Sequence, residues 1–497
     1  MQNLRNKLIA TRLFLVGSLC TACLLGQGTF VYTNNDPINA PNSVSAFSVG
    51  ANGALSPVAG SPFATGGTGV GGGLFASNRI TTAIVKDFLY VANAGSNNVS
   101  AFAVNPATGV LTMVVGSPFA TGGIADGAGM ALATTPDDNF LIAANGVSLN
   151  ITVYSIAANG TLSPVAGSPF SAGSGGTLDG IKVTPDGKFL AVARPVVNSV
   201  SMFSISALGG LTPVTGSPFL AGGTGSASGI DCNCSSNHLF IGEANFGSTI
   251  VSVQNIALSG ALSPVSGSPF IGPGSNSNVV VLNPDDSKLF VSNQVSNTVT
   301  AFSVAAAGAL TLVPGSPFAA PGSLAPSGMA TNQAGTFLYT ADVNNEINGF
   351  SIASNGALTS VPGSPFSNGF PGGFGLLSLA VFPPKSCCLA PVITGASAAP
   401  NVLWPPDHKF VDVTIDYTVT DPCPNTCVLT VASNEPPVDD KQPEWIVVDA
   451  HHLQLRAERL GSGIGRTYTI TITCTNDTNK KSSTQTVTVL VPHDQGH

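Results

Sequence analysis

Apolar and polar residues alternate in short stretches over most of this chain, and Gly, Pro, Asn and Asp interrupt the stretches every few residues. The segment from 180 to 219 shows the pattern. GIKVT (180–184) is a β-branched run, PDG (185–187) is turn chemistry, and FLAVA (189–193) is a second apolar run. SVSMFSI (199–205) alternates, with Val200, Phe203 and Ile205 marking a buried side. LTPVTGSPF (211–219) follows a Gly-Gly turn and reads as a fourth, edge-like strand carrying Pro. The pattern predicts four antiparallel strands in about 40 residues.

The same phrase recurs. The tetrapeptide GSPF begins at Gly60, Gly116, Gly167, Gly216, Gly267, Gly315 and Gly363, at intervals of 48 to 56 residues. Four strands per repeat, seven times over and without a polar capping repeat at either end, predict a seven-bladed β-propeller rather than an open solenoid. The ends of the repeat region support a ring. FVYTNN (30–35) matches the second strand of other repeats (FLYVAN, 88–93), so the first repeat lacks its innermost strand. LLSLAVF (376–382) supplies one more innermost-type strand after the last GSPF. These two strands are expected to pair in one composite blade, leaving no open edge. Within GSPF, Gly permits a positive φ, Pro ends ladder donation, and Phe is expected to fill the space between blades.

Composition narrows the class. With 57 Gly and 36 Pro in 497 residues and only 8% charged residues, long helices and coiled coils are excluded. Arg5, Lys7 and Arg12 precede the apolar run LFLVGSLCTACLLG (13–26), and small residues follow it. Residues 1–28 therefore read as a signal peptide, and the mature chain as secreted or cell-surface. Beyond residue 28 no apolar run reaches the 18 to 20 residues of a membrane span. A net charge of −8 with 17 Lys plus Arg offers no footprint for nucleic acid.

The phrase NNVSAFAVNPATGVLTMVVGSPF (97–119) resembles the repeats of the lactonase family and its YVTN-type relatives, over about 29–384. That resemblance implies a seven-bladed propeller. For the members related to 6-phosphogluconolactonase it also implies hydrolysis of sugar lactones, with a His-bearing loop and with Arg and Glu at the channel mouth. This chain departs from that pattern, since 29–384 hold one His, His238, at a turn. On the loops that form the expected ligand face stand Asp126, Asp179, Arg194, Glu243, Asp342 and Glu346. In a lactonase, Arg194 would bind an anionic or carbonyl oxygen, and Glu243 or Asp179 would act as general base. The other reading is a non-catalytic propeller that binds a glycan, matrix or surface-protein ligand, for which Asn-rich loops such as AGSNNV supply hydrogen-bonding groups. No G-x-S-x-G, Walker A, H-E-x-x-H or EF-hand motif occurs, and neither cofactor nor metal is expected. Cys232 and Cys234 suggest a buried or mutually oxidised pair more than a metal site.

From Lys385 the texture changes: the last 113 residues carry 20 charges, and Val/Thr/Ile alternations predict a β-sandwich over 385–497. LWPPDH (403–408) with RAERLGSGIGRTYTITITC (456–474) resembles an immunoglobulin-like module of the hyalin-repeat type, which implies adhesion or spacing. Five cysteines fall here. The expected pairing is Cys474 with Cys427 or Cys423 across the sandwich, with Cys387 or Cys388 taking another partner. His451, His452, His493 and His497 read as solvated strand and tail positions.

Overall fold

The computed structural model describes residues 28–494 apart from 72–77, 126–128, 371–377, 386, 388–390, 421–424, 438–442, 463 and 477–481. The signal segment, Asp126, Cys388, Cys423 and His497 lie outside the described residues.

Among the described residues, seven antiparallel sheets follow one another along the repeats, and two more form the C-terminal region. In the fourth blade, Ile181–Val183 is innermost, followed outward by Phe189–Arg194, Ser199–Ile205 and a fourth strand. That fourth strand is divided, a correction to the continuous strand expected from LTPVTGSPF. Leu211–Pro213 and Phe219–Leu220 both pair with Ser199–Ile205, and the intervening residues bulge out of the ladder.

The bulge accounts for GSPF. Its Gly takes φ between +84° and +89° in all seven copies, which only Gly adopts without strain. Its Pro carries no N–H to donate. The Ser Oγ fills the gap by accepting the backbone N–H of the third strand, at 2.8 to 3.0 Å in every blade; Ser217 takes the N–H of Met202. The Phe packs half-buried against a core shared by adjacent blades, as Phe119 and Phe219 show.

Closure follows the expected route. Ser378–Phe382 runs antiparallel to Phe30–Asn34, with Phe30 opposite Phe382 and Asn34 opposite Ser378. The last and first blades share one core, in which Val31, Phe47 and Leu55 meet Tyr339, Ile347 and Val381. Gly53, at φ +82°, packs against the Phe337 ring, and the Tyr339 hydroxyl donates to the Gly53 carbonyl at 2.8 Å. The same ring-on-glycine contact links Phe30 to Gly109 and Phe88 to Gly160. His238 occupies this position in the fifth blade, packed against Gly308. The lone propeller His is thus a buried inter-blade filler.

The C-terminal region is a β-sandwich. Val392–Ala399, Phe410–Thr420, His452–Arg456 and Trp445–Val447 form one sheet, and Asn425–Ser433, Gly465–Asn476 and Ser482–Pro492 the other. One core joins them, with Val413, Ile415 and Leu455 packed with Tyr468, Ile470 and Val489. Arg466 is buried beside Glu444 and Glu435. Cys427 and Cys474 are disulfide-bonded, but within one sheet rather than across the sandwich, because the register sets them directly opposite at a Cα separation of 4.0 Å. His451 stacks on Tyr417, and His452 pairs with Asp449 at the surface.

Both propeller cysteines are buried, as expected, but they are not bonded to each other. Cys234 is bonded to Cys387, and Cys232 is a buried free thiol in the core between the fourth and fifth blades. The strand ends at Cys232 and the chain turns over 233–237, so residues two apart no longer share a side. Lys385 and Cys387 are therefore held against the propeller.

Candidate binding site in the central channel

The sixth position of the second-strand motif, FVYTNN (30–35) or FLYVAN (88–93) and their counterparts, is a repeat position: Asn35, Asn93, Asn145, Arg194, Glu243, Asn293 and Asp342. Asn is its common occupant, and the role is local. Asn93 donates to Asn98 Oδ1 and Ser100 Oγ at 2.8 Å, tying the second strand to the third; Asn145 and Asn293 do the same in their blades.

Arg194 and Glu243 perform related tasks. The Arg194 guanidinium donates to the carbonyls of Ser174 and Gly175, holding the loop that enters the fourth blade. Glu243 is fully buried and accepts from the N–H groups of Gly223 (2.8 Å) and Gly225 (3.2 Å), from Asn198 Nδ2 (3.1 Å) and from Ser252 Oγ. Four donors saturate this carboxylate and staple the fourth blade to the fifth. Asp179 precedes an innermost strand and accepts from Ser228 Oγ at 2.6 Å; Ser228 also bonds Asn278 of the next blade. Asp342 accepts from Asn348 Nδ2 at 2.6 Å. Burial pushes its carboxyl up to about 7 against hydrogen bonds from Ser323, Asn348 and Thr340.

A cavity of about 260 Å³ lies elsewhere, along the innermost strands. Ile80, Leu132, Ile181, Ile230, Val280, Met329 and Leu379, one from each blade, contribute to its wall, and Thr82, Thr134 and Thr331 add hydroxyls. Arg194, Glu243 and Asp179 do not line it. Pro384, Lys385 and Cys387 lie across one end, held by the Cys234–Cys387 bond.

The charge in this cavity is concentrated at that floor. Asp231 lies between two ammonium groups, Lys182 Nζ at 2.8 Å and Lys385 Nζ at 3.0 Å. The N–H groups of Cys232 and Leu282 add hydrogen bonds of 2.9 Å each. Burial by itself would raise the Asp231 carboxyl, but Lys182, then Lys385 and these donors, hold it well below the usual carboxylate range. Asp231 in turn raises Lys182 against the effect of burial. Burial pushes the adjacent Cys232 thiol up.

This triplet was missed on reading the sequence, although a signal exists. Lys182 and Asp231 occupy the same position of consecutive innermost strands, where the other blades carry Thr81, Ala133, Val281, Ala330 and Ala380. Opposite charges at one repeat position in adjacent blades mark a contact. Among the described residues, no group of three His, Cys, Asp or Glu side chains could hold a metal, and no helix is long and apolar enough to cross a membrane.

Comparison with known proteins agrees with this architecture. Residues 41–179 match the family described as Lactonase, 7-bladed beta-propeller. No curated protein matches the chain. Among solved structures, a candidate 6-phosphogluconolactonase of Bacteroides fragilis is similar at TM-score 0.57 and 19% identity, covering 72% of this chain and 99% of its own. The periplasmic gluconolactonase of Pseudomonas aeruginosa is similar at TM-score 0.51 and 20% identity, over 68% of this chain and 97% of that one. A functionally unknown protein of Desulfotomaculum acetoxidans is similar at 0.50 and 19%, over 71% and 99%. At these identities the likeness is one of fold. Repeat, circular closure and the match over 41–179 together identify the N-terminal part of this chain as a seven-bladed β-propeller, similar over those residues to the lactonase family.

Proposed function

We propose that this protein is an extracytoplasmic propeller that binds a ligand and does not hydrolyse one, with the sandwich spacing or attaching it. One observation carries the reading: Glu243, Asp179 and Asp231 are already committed to structural partners, and Asp342, whose carboxyl burial raises to about 7, is fully buried and does not line the channel. Glu243 accepts four hydrogen bonds, and Asp231, the carboxylate lining the channel among the described residues, is held ionised between two lysines. A carboxylate stabilised in its charged form is a weak base. The disulfides Cys234–Cys387 and Cys427–Cys474 fit an oxidising compartment, as does the signal-like N-terminal sequence.

The competing reading is an extracytoplasmic lactonase, supported by the family match over 41–179. The test is turnover of a panel of sugar lactones by the purified chain, with Arg194→Ala, Glu243→Ala and Asp231→Asn alongside. The binding reading expects no rate above spontaneous hydrolysis. Turnover that a folded Glu243→Ala or Asp231→Asn variant loses would overturn it.

A further inference from the structure

The channel floor holds two ammonium groups against one carboxylate in a cavity otherwise walled by apolar side chains and threonines. Asp286, on the neighbouring turn and outside the lining, accepts the Cys234 N–H at 2.7 Å and acts on Lys182 as a second negative charge. Lys385 donates to Asp231 and to the Leu282 carbonyl, whereas Lys182 pairs with Asp231 alone. Each ammonium carries three N–H groups, so Lys182 keeps donor capacity free. Both reach solvent, the Lys182 side chain being 30% and the Lys385 side chain 12% exposed, while Asp231 is at 6%. An accessible ammonium with spare donors in a low-dielectric wall attracts an anion more strongly than it would in bulk water.

We infer that the channel floor is a binding site for a small organic carboxylate. Its negative charge would pair with Lys182 and Lys385, the threonine hydroxyls would meet polar substituents, and the apolar wall would hold its carbon skeleton. The volume, below that of sites for drug-sized ligands, sets the size to a small acid. This inference rests on the reading of the propeller as a binding module and names its ligand class.

The test is isothermal titration of the full chain at constant ionic strength with lactate, glycerate and benzoate, and with glycerol and benzyl alcohol as neutral counterparts. Lys182→Met and Lys385→Met, checked for fold by circular dichroism, run beside the parent. The expected result is binding of at least one acid, no binding of its neutral counterpart, and a loss of about tenfold or more in either variant. Equal binding of acid and neutral counterpart by the parent would overturn the anion site while leaving a binding propeller. Failure of every acid, with binding of a neutral glycan, would have the same consequence. Failure of every acid together with lactone turnover would overturn both readings.

Discussion

Asp342 stands where Asn35, Asn93, Asn145 and Asn293 stand in other blades, and it is fully buried. Its carboxyl is raised from 3.8 to about 7, chiefly by burial, and Glu346 adds repulsion after the opposing hydrogen bonds. The folded chain therefore keeps this proton to a higher pH than the unfolded chain does. Stability from this site is fully present below about pH 4 and is lost as pH rises towards 7. A difference of that size is worth about 4 kcal/mol between the two forms. Asp342→Asn removes the titration and keeps the shape. Its amide can donate to Asn348 Oδ1, which has no hydrogen-bond partner. The variant should match the parent near pH 4 and exceed it by about 4 kcal/mol at pH 8. Guanidinium unfolding followed from pH 4 to pH 8 measures this. A stability difference that stays constant across that range would refute the reasoning.

Three further outcomes are expected. Asp231→Asn leaves two lysines without their carboxylate and should cost about 3–5 kcal/mol by denaturant unfolding, while Lys182→Met, Asp231→Leu and Lys385→Met combined should recover most of it. A single variant as stable as the parent would remove Asp231 as the organiser of the channel floor. Ser217→Ala strands the buried N–H of Met202 and should cost about 1–3 kcal/mol, whereas Ser204→Ala, which removes an exposed hydrogen bond to the Thr212 carbonyl in the same blade, should cost much less. Cys387→Ser releases the segment that covers the channel end and should cost about 2–5 kcal/mol, read as a lower unfolding midpoint and as a smaller further shift by reductant than in the parent, since the variant keeps only Cys427–Cys474.

The blades and their closure were legible because each repeat carries its own alternation, and because FVYTNN and LLSLAVF are complementary remainders of one blade. The divided fourth strand was not legible. The Ser of GSPF acts as an acceptor only once the third strand is in place, and no local pattern announces that. Arg194 and Glu243 drew attention as charges on a sparsely charged face. Aligned with Asn35 and Asn93, they read instead as substitutions at a structural position, each with its own set of partners. Two of the three charged groups of the channel floor were readable from Lys182 and Asp231 in register. Lys385 was not, since it enters from outside the repeats, next to a disulfide that closes 153 residues.

The central claim is that recognition takes place at the channel floor and not among the rim residues. A crystal structure of the full chain grown with the acid that binds most tightly in solution tests it most directly. The account expects the carboxylate between Lys182 and Lys385, within hydrogen-bond distance of at least one ammonium. A ligand seated beside Arg194 and Glu243, or an empty channel under saturating acid, would contradict it.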